Sequence, residues 1–249
     1  MQMRMSMICC VLCLLDVAGC VGTEDETPYT GPEDDDDNSG DVDLSEWDLG
    51  PVSAAELLDL TASCNWIGGD YAENAGESAS IPVCGLEGAV HWTADFDVDC
   101  DGLVTDECNE ETDPWFQPMT ALTDSNGNYI DASIVPYLVV PSPSSRFNYA
   151  NHGVRLGAAG AIVYNGRVEY VVFADTGPEE IIGEGSYAAA VNLGIDPDPE
   201  TGGSGGPVTF IVFSGEEAVI DVPESHAQAQ ELGERLANRL LGWNQAEYK

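Results

Sequence analysis

Basic residues are almost missing from this chain. Its 249 residues include one lysine, Lys249, and six arginines, against 45 aspartates and glutamates, for a formal charge of −38 at pH 7. Like-charge repulsion excludes nucleic acid as a partner and favours cationic ligands, although an acidic excess serves solubility equally well and names no ligand by itself. Histidine is scarce too. His91, His152 and His226 stand apart with neither metal-ligand spacing nor a nucleophile beside them, so a zinc centre and a Ser-His-Asp triad lack their main ingredient. Long apolar runs are also missing. The stretch Met7 to Leu15 is far shorter than the about 20 residues a membrane-spanning helix needs.

That short stretch has the layout of an export signal. Arg4 precedes it, small residues follow, and Val17-Ala18-Gly19-Cys20 is similar to a bacterial lipobox, in which cleavage before the cysteine is followed by lipid attachment. Residues 1–19 are therefore expected to be a signal peptide and Cys20 the lipidated residue, with ordinary cleavage and secretion as the alternative and Asp16 the one discordant charge. The membrane is expected to be met only through this anchor. Residues 20–50 are acidic, poor in aliphatic side chains and broken by Gly and Pro. Such a segment cannot bury enough apolar surface to offset its ordering entropy and is expected to be a disordered tether. The run Asp34 to Asp37 within it is read as solvated charge. Residues 51–249 are the expected folded, exported domain.

Four cysteines remain in that domain: Cys64, Cys84, Cys100 and Cys108. An even number in an exported chain implies disulfides. Three pairings are open in principle, and short loop closure favours Cys64–Cys84 and Cys100–Cys108.

Carboxylates concentrate in two further places. In Ala94 to Gly102 the strand period of two puts Asp95, Asp97, Asp99 and Asp101 on one face, with Phe96, Val98 and Cys100 on the other. From Asp97 the run also copies the first half of a calcium loop, but Cys108 stands where that loop needs its bidentate Glu. A ligand-binding face, a calcium site and a disulfide-pinned turn all remain open from the residues alone. The second concentration, Phe173 to Tyr187, sets Asp175 and Glu184 on either side of Thr176-Gly177-Pro178. Two strands paired as a hairpin would carry the two acids on a shared face. Paired carboxylates suit glycoside hydrolysis, where their separation decides between inversion and retention.

Elsewhere, Ser53 to Ser63 has a helix cap and apolar spacing, and Asn165-Gly166 is a hairpin turn. Residues around Pro136 read as strands, Ala188 to Ile195 as a short helix, and residues 196–207 as a loop. Val208 to Val222 reads as two strands turning at Ser214-Gly215, and Ser225 to Leu241 as a helix stopped by Gly242. The expected fold is mainly β (α+β): a β-barrel-like catalytic domain, six-stranded, with a few short helices and a C-terminal helix. Two motifs mislead. Gly202 to Gly206 spells G-x-S-x-G, but Pro207 and a strand follow where a nucleophile elbow needs a helix. Asp175-Thr176-Gly177 resembles an aspartic-protease signature, yet occurs once and is followed by Pro178.

The central stretch also resembles the active-site region of glycoside hydrolase family 75, the endo-chitosanases, in which a strand ends in Asp-Thr-Gly-Pro and Ile-Gly-Glu-x-Ser follows. Segments similar to that family recur in order: Asp95 to Gly102, Glu107 to Asn109, Asp124 to Ala132, Val135 to Ser142 and Val163 to Tyr170. The likeness runs from about Val90 to Phe213. It implies endo-hydrolysis of β-1,4-linked glucosamine in chitosan, with inversion, and Asp175 and Glu184 as the catalytic pair. Asp95, Asp97, Asp99 and Asp101 would then bind the cationic amino-sugar polymer. No cofactor and no metal are implied, and the enzyme is expected to act as a monomer. The alternative is a non-catalytic surface lipoprotein that binds a cationic polymer or calcium.

Overall fold

The structure, a computed structural model, describes residues 50–246, with side chains placed to Trp243. The expected signal peptide, the expected lipidation site Cys20 and the expected acidic tether lie outside the described residues, apart from Gly50.

The chain runs α1 (Ala54–Leu60), β1 (Trp66–Tyr71), β2 (Ile81–Leu86), β3 (Ala89–Asp99), β4 (Tyr137–Pro141), β5 (Ala159–Tyr164), β6 (Arg167–Gly177), β7 (Glu184–Ser186), α2 (Tyr187–Leu193), β8 (Ser204–Phe213) and α3 (His226–Ala246). Strand order is β1-β2-β3-β7-β4-β6-β5-β8, and a further pairing of β3 with β8 closes the last six strands into a barrel. The mainly β expectation is therefore met, with six barrel strands and a C-terminal helix.

Strand β3 is the beam of this barrel. One edge pairs with β8 from Ala89 to Phe96. The other edge is shared: β2 takes Ala89 to His91, and β7 takes Asp97 to Asp99 in parallel register. The first half is apolar and buried, and Trp92 and Phe96 each stack on Phe210 of β8, with ring centroids 5.5 and 6.0 Å apart. The second half carries the acids. Burying acids at that end is costly unless they are partnered or take up protons.

Local signals account for most of the elements. Ser53 caps α1 and Glu56 bonds back to the Ser53 N–H, a full capping box. Asn165 and Gly166, both at positive φ, make the two-residue turn between β5 and β6. Both expected disulfides form, Cys64–Cys84 and Cys100–Cys108, and such cross-links fit an exported protein.

Four expectations need correction. The strands bearing Asp175 and Glu184 are not a hairpin: β4 lies between β6 and β7, parallel to the first and antiparallel to the second. Beyond β8 the chain forms a 3-10 turn at Glu216–Ala218 and one bridge, Ala158 to Val219, in place of a second strand. Strand β8 begins at Ser204, inside the stretch read as loop, because Gly203 and Gly206 let it approach β3; a Cβ on Gly206 would sit 2.6 Å from the Ala94 carbonyl oxygen. Helix α3 continues past Gly242 to Ala246. Trp243 packs against the core edge and carries the Arg239 guanidinium 4.7 Å above its ring, so packing overrides the glycine.

Just beyond β3, Gly102 has φ of 127°, and a Cβ there would run into the Ile130 carbonyl oxygen. Gly102→Ala is expected to cost about 3 kcal/mol or more, combining backbone strain with a backbone clash. Thermal unfolding checks this; an unchanged melting temperature would mean that the loop relaxes freely.

Candidate active site

Glu184 opens the three-residue β7, whose placement depends on buried Ser186. The Ser186 hydroxyl donates to the Val135 carbonyl (2.9 Å) and accepts from the N–H groups of Tyr137 (2.9 Å) and Ala189 (3.1 Å), capping α2 in the same stroke. On its other side β7 is held by β3, with Asp97 opposite Glu184 and Asp99 opposite Ser186. Glu184 therefore comes to rest beside the acidic end of β3.

Asp175 lies near the end of β6, level with Val139 of β4. It is 7% exposed. Its Oδ1 accepts from the Ala121 N–H (2.8 Å) and from its neighbour Thr176 N–H (2.7 Å). Asp99 and Asp101 are set by similar means: Asp99 Oδ1 accepts from the Asp101 N–H (2.8 Å), and Asp101 Oδ1 accepts from the Gln117 N–H. The Tyr137 hydroxyl donates to the Asp101 carbonyl (3.0 Å) and closes that turn.

Asp95, Asp97, Asp99, Asp101, Asp175 and Glu184 thus form one electrostatic group. Burial is the main force on Glu184, and the charges of Asp97, Asp101, Asp175 and Asp95 add to it, raising its pKa to about 8. Burial first, then Asp101, Glu184 and Asp175, pushes Asp99 well above the usual carboxylate range. Burial likewise lifts Asp95 and Asp101 to about 7. Asp175 is also raised by burial, but its two backbone donors pull the other way. Among the described residues the ion pairs lie elsewhere, at Arg155–Glu216, His226–Glu169 and Arg239–Glu217. None of them neutralises these six acids.

The competing readings fare poorly. Among the described residues no three His, Cys, Asp or Glu side chains are arranged to hold a metal ion, so the half calcium loop at Asp97 is not built as one. Ser204 of the G-x-S-x-G run begins β8 and lies 3.2 Å from the Tyr164 hydroxyl. His226 is paired to Glu169 at 2.8 Å and His91 is buried, and among the described residues no hydrogen bond joins a histidine to Ser204.

Sequence reasoning missed the backbone donors of Gln117 and Ala121, since residues 112–123 carry only the marks of a loop. It missed the role of Gly177 as well. A Cβ at Gly177 would collide with Glu184 Oε2 and come within 3.1 Å of Val139 Cγ1, so this glycine is what lets the Glu184 carboxyl lie across β4 toward β6.

Two carboxyl groups near each other, one raised mainly by burial and the other also bonded to backbone donors, are an arrangement found in glycoside hydrolases. Residues 96–240 match the family described as fungal chitosanase of glycosyl hydrolase group 75. Endo-chitosanase B of Aspergillus oryzae is 30% identical over 167 residues, covering 59% of this chain and 70% of that one. Endo-chitosanase of Aspergillus fumigatus is 29% identical over 168 residues, covering 59% and 67%. Endo-chitosanase C of A. oryzae is 33% identical over 137 residues, and the match covers 53% of this chain and 33% of the relative. The family match takes in more than half of the chain, and the chain belongs to this glycoside hydrolase family.

The raised acids couple stability to pH. Between the unfolded values near 4 and the folded values of about 7 for Asp95 and Asp101 and about 8 for Glu184, the folded state holds protons that the unfolded chain has released. Their stabilising contribution is therefore complete only below the unfolded values near pH 4, declines steadily above them, and is gone once pH has passed the folded values of about 7 and 8. Allowing for solvent screening of the partly exposed members, the loss is about 2–3 kcal/mol, or roughly 5–10 °C in melting temperature. Melting curves at pH 5 and pH 8.5 test this. Glu184→Gln should melt higher than the parent at the alkaline end.

Proposed function

We propose that the domain is an endo-acting, inverting chitosanase in which Glu184 is the general acid and Asp175 the general base. The observation that carries this reading is the unequal environment of the two carboxyls. Glu184, driven up to about 8 by burial and neighbouring negative charge, holds a proton at neutral pH. Asp175, with two backbone N–H groups on one oxygen, is the better placed of the two to stay ionised. During cleavage Glu184 would protonate the glycosidic oxygen as the C1–O bond breaks. Asp175 would remove a proton from the water whose oxygen bonds to C1 from the opposite face. The two carboxyls are then reset by proton exchange with solvent.

Strand order supports inversion. A hairpin would put the acids on neighbouring strands about 5 Å apart, the separation of retaining enzymes. With β4 interposed, β6 and β7 are two strand spacings apart, roughly 9–10 Å at the backbone. The Glu184 carboxyl leans toward Gly177, which is two residues, or about 7 Å, along β6 from Asp175. Both estimates fall near the interval of about 6.5–9.5 Å that leaves room for a water. Asp97, Asp99 and Asp101, without basic partners of their own, would bind protonated amines of the polymer. We further infer that Cys20 carries a lipid and that residues 20–50 tether a monomeric domain to the membrane; the support is the Val17-Ala18-Gly19-Cys20 pattern and the acidic composition.

Three measurements test the catalytic reading. Highly deacetylated chitosan, beside chitin and cellulose, should lose viscosity rapidly and release reducing ends, and Glu184→Gln or Asp175→Asn should lower kcat by about a thousandfold with the melting transition retained. Fresh product followed by NMR should show the α-anomer first; a β-anomer would contradict inversion. The alkaline limb of kcat/KM should fall near pH 8, set by Glu184, and Gly177→Ala, which crowds that carboxyl, should depress kcat about a hundredfold or more.

A further inference from the structure

We propose that Glu73 and Glu77, on the connection between β1 and β2, join Asp95 and Asp97 in a subsite that takes one protonated amino sugar beside the Glu184 end of the catalytic pair. This inference rests on the proposed function and adds residues that lie outside the 96–240 family match.

The connection is fastened to the catalytic strand. The Ala72 N–H donates to the Glu180 carbonyl (3.0 Å), and the Ile182 N–H donates to the Ala72 carbonyl (3.2 Å). A parallel bridge thus joins Ala72 to Ile181, three residues before Glu184. Tyr71, fully buried, anchors the arm from below, and the Ser80 N–H returns to the Tyr71 carbonyl (2.8 Å). The Glu77 N–H to Asn74 carbonyl bond (3.1 Å) turns the chain so that both glutamates stand exposed at its tip. Both act electrostatically on Asp95 and on Asp97.

Asp95 supplies the independent sign of a ligand. It is 7% exposed, and its Oδ1 is buried with no hydrogen-bond partner. That oxygen lies against Gly183, where a Cβ would come within 2.8 Å of it. Buried carboxylate oxygens without donors are costly and need an explanation. The described residues supply no arrangement that could hold a metal ion here. A primary ammonium fits: it is a compact charge with three donors, matched to the exposed carboxylates of the arm and to Asp97, and it offsets the negative charge that bears on buried Asp95. An N-acetyl group at the same place brings no charge and leaves the four acids facing one another. The arm therefore acts as a reader of deacetylation.

The test uses the Glu184→Gln protein, which binds without turnover, with and without the added pair Glu73→Gln and Glu77→Gln. Calorimetric titration with a glucosamine hexamer should show Kd raised about tenfold by the added pair, with a shallower dependence on salt. A hexamer of N-acetylglucosamine should bind the two proteins alike. A control pair, Glu87→Gln and Glu231→Gln, makes the same change in net charge at exposed positions away from the arm. It should leave Kd within twofold, and an equal weakening by the control would overturn the subsite in favour of a general field. With wild-type protein cleaving chitosan, an unchanged Kd in the Glu73/Glu77 variant would overturn the subsite alone. A wild type that neither binds nor cleaves chitosan would overturn both the subsite and the function on which it rests.

Discussion

Six carboxyl groups crowded into partly buried surroundings without a cation among them are the constraint that the rest of the structure has to satisfy. Left to itself such a group would push its strands apart. The protein accommodates it in two ways: burial raises the pKa of several members, which favours their neutral form, and the acids are mounted on strands whose other residues are deep in a closed barrel. Trp92, Phe96 and Phe210 hold the acidic half of β3 by packing its apolar half. Ser186 does the same for Glu184 through three hydrogen bonds made two residues away. Preorganisation of this sort is set by the fold and is present before any ligand arrives.

Barrel closure also assigns different roles to chemically similar side chains. Strands β7 and β4 place Glu184 against Asp97 on one side and across Val139 from Asp175 on the other. Val139 is an unremarkable aliphatic residue, yet its strand separates the backbones that carry the two carboxyls by more than a hairpin could. Asp175 gains stabilising donors from the loop at Ala121, whereas Glu184 gains chiefly negative neighbours. One carboxyl is thereby made a stronger acid than the other, as an acid–base pair requires.

Asp95, Asp97 and Asp99 were legible as residues of one strand because a strand period of two is a local property, and β3 carries all three. The same holds for the Ser53 and Glu56 capping box, the Asn165-Gly166 turn and the short disulfide loops. Asp175 and Glu184 were legible as a pair of acids around a turn, and resemblance to a family strengthened the choice. Their strand partners were not legible. Nothing within residues 173–187 tells that Tyr137 to Pro141, some forty residues upstream, would insert between them. Long-range pairing of this kind is decided by the whole barrel. Glycine misled for a related reason: Gly242 reads as a stop in isolation, but Trp243 holds the helix from the next position. Glu73 and Glu77 drew no attention because exposed acids are common in so acidic a chain, and only the bridge from Ala72 to Ile181 reveals their company.

A wall of acids facing a repeating cation has a counting property. On the proposed reading each ring of the polymer contributes one ammonium, so attraction accumulates with every ring that lies along Asp95, Asp97, Asp99 and Asp101. Hydrolysis divides those attractions between two fragments, and each fragment keeps only its share. Avidity of this form falls steeply as rings are lost. The enzyme would therefore grip long chains, cut them in their interior, and shed short pieces without any moving part for release. Chain length, sensed through summed charge, becomes the signal that ends the engagement.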